Sequence, residues 1–186
     1  MTLGELRELA HSISQRYETE GKAFANFQNS SGLTCLSGCG ACCNHPEISA
    51  TIAEMLPVAL HLLDRGDAQD LYRKLHETKL SDTCVFYRAT SSDMTKGYCS
   101  EYQNRAVICR SFGAAALRGK NGKKVLSLCH HIKASTEINL QELSLEQAPL
   151  IDQFAARVRN LGADTTIYPI NTALKKALEK VLMAES

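Results

Sequence analysis

The sequence predicts a mainly α-helical fold, a single domain over residues 1–186, wrapped around an irregular, cysteine-rich core with one or two short hairpins. Three observations carry this expectation. Apolar residues recur at helical spacing near both ends of the chain, that period fades between residues 83 and 131, and eight cysteines fall between residues 35 and 129. A chain of 186 residues can bury one substantial core and is short for two ordinary domains.

At the N-terminus, Thr2 and Glu5 have the spacing of a capping box, and Leu3, Leu6, Leu9, Ile13, Tyr17 and Phe24 follow on one helical face. This helix is expected to end in the loop-forming stretch "NSSGLT", which leads into "CLSGCGACCN". After the cysteines, Thr51 and Glu54 repeat the capping-box spacing ahead of "IAEMLPVALHLLDRG", a dense apolar helix with Pro57 near its start and Gly66 at its end. Asp67 is placed to cap a further helix over "AQDLYRKLHETK", with Leu71 and Leu75 one turn apart.

From Thr83 to His131 the expectation is loop with hairpins. "GKNGKK" supplies an Asn-Gly turn between "GAAALR" and "VLSLC". Helix is expected again over "SLEQAPLIDQFAARVRNLG", with Ser144 and Gln147 as its capping box and Gly162 as its stop. A last helix, "NTALKKALEKVLMAES", would follow Asn171 as its cap, with Leu174, Leu178 and Val181 on the core face.

Net charge is +1, from 21 Lys and Arg against 20 Asp and Glu. No global field therefore draws in nucleic acid or an anionic membrane. The chain shows no apolar run as long as a secretory signal or a membrane span needs, so the expected setting is the cytoplasm. In that reducing compartment eight cysteines point to metal or catalysis in preference to disulfides.

Metal also answers a physical need, because an irregular segment has few backbone hydrogen bonds to order it and thiolate–metal bonds supply cross-links. Eight thiolates suit two four-ligand sites, or one larger cluster with bridging sulfur, holding zinc or iron, the iron possible as an iron–sulfur cluster. Cys39 and Cys42 are spaced for one metal. Cys42 and Cys43, as successive residues, point apart and are expected to serve different metals unless one merely packs nearby.

The candidate metal ligands are Cys35, Cys39, Cys42, Cys43, Cys84, Cys99, Cys109 and Cys129, and for Cys129 the plain alternative is a small buried hydrophobe. His130 and His131 follow it as further candidates. Arg105 and Arg110 are candidates to offset thiolate charge and donate hydrogen bonds around a cofactor, and Tyr102 and Phe112 to shield it from water. Glu47, Asp82, Asp93 and Glu101 lie close to cysteines in sequence, but no carboxylate pair names a general acid or base.

Cys35-x3-Cys39-x2-Cys42 also has the cysteine spacing of radical S-adenosylmethionine enzymes, but those are built on repeated βα units and no such alternation is seen here. Taken together, "CGACC", "CVFY" and "GYCSEYQNRAVICRSF" resemble the cysteine-cluster family often called YkgJ-type, over about residues 35–113. The chain departs from the family pattern in its three-residue first gap, Leu36 to Gly38, and in Ala106, which stands at a family proline.

The resemblance implies chelation of zinc or iron by these cysteines. Related clusters occur in flagellin lysine N-methylases, with an iron–sulfur cluster, but no Gly-rich strand-to-helix turn for a methyl donor is present here. The expected function is metal binding, with metal ions as the partners. The alternative is an iron–sulfur or metal-dependent enzyme of protein modification or redox chemistry.

Overall fold

The computed structural model describes residues 1–36, 38–45, 48–77, 83–94 and 96–185. Its spine is helix α1 (Leu3–Ser31), whose 29 residues extend about 44 Å at the α-helical rise. The predicted capping box starts it: Thr2 Oγ1 accepts from the Glu5 N–H (3.3 Å), and the Glu5 carboxylate accepts from the Thr2 N–H (2.7 Å). α1 closes at Gly32, immediately ahead of the cysteine loop.

Three apolar clusters sit along this spine. The N-terminal part of α1, through Leu6 and Ala10, packs with α2 (Leu56–Arg65), α3 (Ala68–Glu77) and α7 (Ile170–Glu185), whose Leu174, Leu178 and Val181 form the predicted stripe. Midway, Ile13, Tyr17 and Phe24 meet Phe154 and Val158 of α6 (Ile151–Arg159). There Phe154 stands edge-on to Tyr17 (6.2 Å between centroids) and tilted against Phe24 (5.5 Å). At the far end, Phe27 packs against Ala114 and Ala116 of the β4–β5 hairpin.

Helices form the scaffold, as expected, and the strands described occur as two-stranded antiparallel ribbons. β4 (Ala114–Arg118) and β5 (Lys124–Leu128) make the predicted Asn-Gly hairpin. β2 (Tyr87–Ala89) and β3 (Gly97–Cys99) make a second. β1 (Ser49–Thr51) pairs with β6 (Ile167–Pro169), a long-range ribbon that joins the exit of the cysteine loop to the start of α7. None of this is the repeated parallel βα arrangement of a radical S-adenosylmethionine barrel. Among the described residues, no helix is long and apolar enough to cross a membrane.

Several expectations change. Thr51 and Glu54 do make reciprocal hydrogen bonds, but they open a 3-10 turn (Ala53–Met55) that passes into α2 only at Leu56. α6 starts at Ile151 and not at Ser144, because Pro149 disfavours helix in the residue before it. The Pro149 carbonyl instead accepts from the Ala116 N–H (2.9 Å), which draws this segment along β4. Asn171 is not a cap but lies buried within the first turn of α7, committed to a different task. The stretch expected to be mostly loop also holds two short helices, α4 (Val107–Ser111) and α5 (His130–Ser135).

Candidate metal centre

The thiols come from five separate places that the fold brings to one side of α1. Residues 40–44 form a single turn, with the Cys43 and Asn44 N–H groups donating to the Gly40 carbonyl at 2.9 and 3.3 Å. This turn is docked on the β2–β3 hairpin. The Gly97 N–H donates to the Gly38 carbonyl (3.1 Å), and Asn44 Nδ2 donates to the Met94 carbonyl (3.2 Å). The docked backbones leave no room for side chains: a Cβ on Gly40 would lie 2.7 Å from the Gly97 oxygen, and one on Gly97 would lie 2.4 Å from the Tyr87 ring.

Cys84 is delivered by a short extended segment clamped from two directions. Thr83 Oγ1 donates to Asn44 Oδ1 (2.8 Å), and the Cys84 N–H donates to the Cys43 carbonyl (3.4 Å). From α7, Asn171 Oδ1 accepts from the Val85 N–H (3.0 Å) while its Nδ2 donates to the Thr83 carbonyl (3.1 Å). Asn171 thus brackets Cys84 on both sides. Asn171→Ala is expected to leave these backbone groups without that partner and to cost about 1–3 kcal/mol, checked by denaturant unfolding.

Cys99 ends β3, opposite Tyr87. Cys109 rides on α4, whose first turn is held by a buried carboxylate: Glu54 Oε2 accepts from the Val107 N–H (3.2 Å), and the Glu54 carbonyl accepts from Tyr17 Oη (2.9 Å). Burial pushes the Glu54 carboxyl above its ordinary range against the pull of its hydrogen bonds from Thr51 and Val107 and of the Arg159 charge. The family proline position, Ala106, has φ −63°, a value that a proline ring would also hold, so the backbone keeps the bend without it. Cys129 follows β5, its N–H donating to the Gly113 carbonyl (2.8 Å). Cys35 lies exposed in the loop after α1.

These side chains sort into two groups. Cys43, Cys84, Cys99 and Cys109 all line one small cavity of about 20 Å³, together with the apolar Ile48, Met55, Phe86, Ala106 and Ile170 and the polar Glu101, Asn104 and Arg105. The Cys43 thiol is hydrogen-bonded to Cys99, which holds Cys43 well up and draws Cys99 down. Burial, followed by the charge of neighbouring thiolates, pushes Cys109 up to about 12, and burial first of all pushes Cys84 up to about 11.

Cys42 does not line this cavity, although its charge reaches Cys109. Burial and then the charges of Cys35, Cys129 and Cys39 push it up to about 11, and burial followed by Cys39 and Cys129 raises Cys35. Thiols so raised are protonated at neutral pH, so an entering metal displaces protons. All eight cysteines are free. Among the described residues no three Cys, His, Asp or Glu side chains stand close enough together to hold a metal ion. The donors themselves, soft thiols, fit zinc or iron.

Beside the thiols opens a cleft of about 700 Å³ between α1 and the cysteine loop. Cys35, Cys39, Cys42, Cys43, Cys99 and Cys109 are in its wall, and Tyr17, Lys22 and Gln28 face them from α1. Arg105 lines both the cleft and the small cavity. Its guanidinium stacks 3.4 Å over Tyr102 and donates to the Tyr102 and Cys109 carbonyls (2.9 and 3.4 Å). Arg110 lies 4.5 Å over the Tyr17 ring and donates to the Arg105 and Gln103 carbonyls. Both arginines therefore border the thiols while knitting the loop that carries Cys109.

Tyr102 does not shield the thiols as expected. It is 57% exposed and forms the rim of the cleft beneath Arg105, whereas Phe112 is half-buried in the cleft wall. His130 and His131 begin α5 with exposed rings, 4.9 Å apart. Glu101 is buried and occupied, accepting from Arg65 (3.1 Å) and Asn104 (3.4 Å). Glu47 and Asp82 lie outside the described residues. Sequence reasoning missed Gly97 and the long-range roles of Asn171 and Glu54. For Gly97 a signal existed, since a glycine two residues from a cysteine inside a strand marks a close backbone approach.

A family model described as "CxxCxxCC: putative zinc- or iron-chelating domain" matches residues 34–138. No curated protein and no solved structure matches the chain.

Proposed function

From a chain that belongs to the family of CxxCxxCC zinc- or iron-chelating domains, we propose a protein that binds two metal ions through two sets of four thiolates. The inner set is Cys43, Cys84, Cys99 and Cys109, and the outer set is Cys35, Cys39, Cys42 and Cys129. One observation carries this reading: Cys43 lines a small cavity together with Cys84, Cys99 and Cys109, whereas the adjacent Cys42 does not line it and stands in the cleft wall with Cys35 and Cys39. Closing on an ion requires the thiols of each set to draw together, while Gly97, Asn44 and Asn171 hold the backbone of the cysteine turn and of the Cys84 segment.

The inner cavity, about 20 Å³, has room for about one water-sized sphere, which suits a single tetrahedral ion better than a four-iron cluster. Zinc is the metal this favours, with iron the other family choice. Arg105 and Arg110 beside the thiols offset the charge that four thiolates place on a divalent ion.

The cleft supports a second reading, an iron–sulfur or metal-dependent enzyme, because its volume of about 700 Å³ falls within the range of ligand pockets. Purification without oxygen, followed by elemental analysis and an absorption spectrum, separates the two. A colourless protein with two zinc ions per chain is the expected result. A brown protein with iron and inorganic sulfide would transfer the conclusion to the second reading.

A further inference from the structure

The cationic side chains of the cleft have hydrogen bonds left to donate. Lys22, Arg105 and Arg110 stand in its lining against one carboxylate, Glu18, and both Lys22 and Glu18 are exposed on α1. Backbone carbonyls fix each arginine. Arg105 donates through Nε and Nη1 to the Tyr102 and Cys109 carbonyls, and Arg110 through Nε and Nη2 to the Arg105 and Gln103 carbonyls. One terminal nitrogen of each is left over, Nη2 of Arg105 and Nη1 of Arg110. Among the described residues neither guanidinium pairs with a carboxylate, and neither leftover nitrogen is shut away from solvent.

A guanidinium held in this way is a preformed donor, because the fold has already ordered the long side chain and its planar fork suits a carboxylate or phosphate oxygen. Two like charges on one loop also repel, so an anion that meets both is favoured. Bordering thiolates ease that repulsion only through space, since among the described residues neither guanidinium donates a hydrogen bond to sulfur. The cleft, about 700 Å³, is far larger than an inorganic ion needs and is of the size that holds small organic molecules. Apolar surface is present for the rest of such a molecule: Leu36 and Tyr98, 47% and 55% exposed, and half-buried Phe112 line the same space.

We propose that the cleft is a binding site for a small organic oxyanion. Arg105 and Arg110 take its carboxylate or phosphate head, with Lys22 opposite on α1, and its apolar body lies against Leu36, Tyr98 and Phe112. Such binding goes beyond metal chelation and does not require a particular number of ions at the thiols.

Fluorescence titration of the purified full-length chain with anilinonaphthalene sulfonate, an apolar body with an oxyanion head, tests this, with the uncharged phenylnaphthylamine as the control. One equivalent of the anion is expected to bind about tenfold or more tighter than the neutral probe, and less tightly as salt is raised. Arg110→Gln should weaken the anion by about tenfold or more. That side chain also knits the loop carrying Cys109, so Lys22→Glu, on the exposed surface of α1, is the second variant. It should weaken the anion by about threefold or more with circular dichroism unchanged. Displacement by benzoate or by phenyl phosphate identifies the preferred head as carboxylate or phosphate. Equal affinity for the charged and neutral probes, displacement by neither competitor, or an anion affinity unchanged in both variants would overturn the proposal. The metal-to-protein ratio of the same sample tests two-site binding separately, so either reading can fail without the other.

Discussion

Gly40→Ala is expected to destabilise the protein by about 3 kcal/mol or more and to lower its metal content. Gly40 has φ +60°, where an alanine costs about 1–2 kcal/mol, and the added Cβ would lie 2.7 Å from the Gly97 carbonyl oxygen and from the Tyr87 ring. The first obstacle is backbone, so relief requires the turn that carries Cys42 and Cys43 to lift off the β2–β3 hairpin that carries Cys99. Gly38→Ala is the matched control. Its φ of +68° imposes the same backbone strain, but a Cβ there meets nothing within 4 Å. Denaturant unfolding of the two variants isolates the docking contribution as their difference, and equal losses would show that the Gly40–Gly97 approach contributes nothing.

Cys42→Ser and Cys43→Ser, neighbouring substitutions of one atom each, are expected to have different consequences. Each should reduce tight binding by one equivalent, because a tetrathiolate site that loses a thiolate binds a thiophilic ion weakly. The ion that remains should protect different partners. In Cys42→Ser, zinc would shield Cys43, Cys84, Cys99 and Cys109 from alkylation, and in Cys43→Ser it would shield Cys35, Cys39, Cys42 and Cys129. Mass spectrometry of alkylated peptides reads this pattern directly. Identical protection in the two variants would mean that all eight thiols serve one centre, the bridged-cluster arrangement that the sequence also allowed.

Much of the scaffold was legible because its causes are local. The Thr2–Glu5 capping box, the Leu174–Leu178–Val181 stripe and the Asn-Gly turn each depend on residues within a few positions of one another. Where a partner lies far along the chain, the same reasoning fails. Asn171 has the side chain of a helix cap, but its hydrogen bonds reach back 86 and 88 residues to the segment around Cys84. Glu54 does bond to Thr51 as its spacing suggests, but its larger consequence is the contact with Val107, 53 residues away. The helix expected from Ser144 ignored Pro149, whose carbonyl serves β4.

The site was partly legible for a similar reason. Adjacent side chains point apart, and from that fact the sequence suggests different metals for Cys42 and Cys43, or one ligand with the other packed nearby. Which distant cysteines join each of them depends on β2, β3, α4 and the end of β5, elements too short to show a period of their own. The placement of Arg105 over Tyr102 at the edge of the inner cavity, and the cleft beside it, follow from the docking of those pieces on α1.

X-ray absorption spectroscopy of the metal-loaded chain, combined with its metal-to-protein ratio, bears most directly on the central claim. Two ions per chain, each surrounded by four sulfurs at about 2.3 Å and with no metal–metal scattering, is the predicted result. Ions bound mainly through oxygen or nitrogen, or a metal–metal vector from one shared cluster, would contradict it.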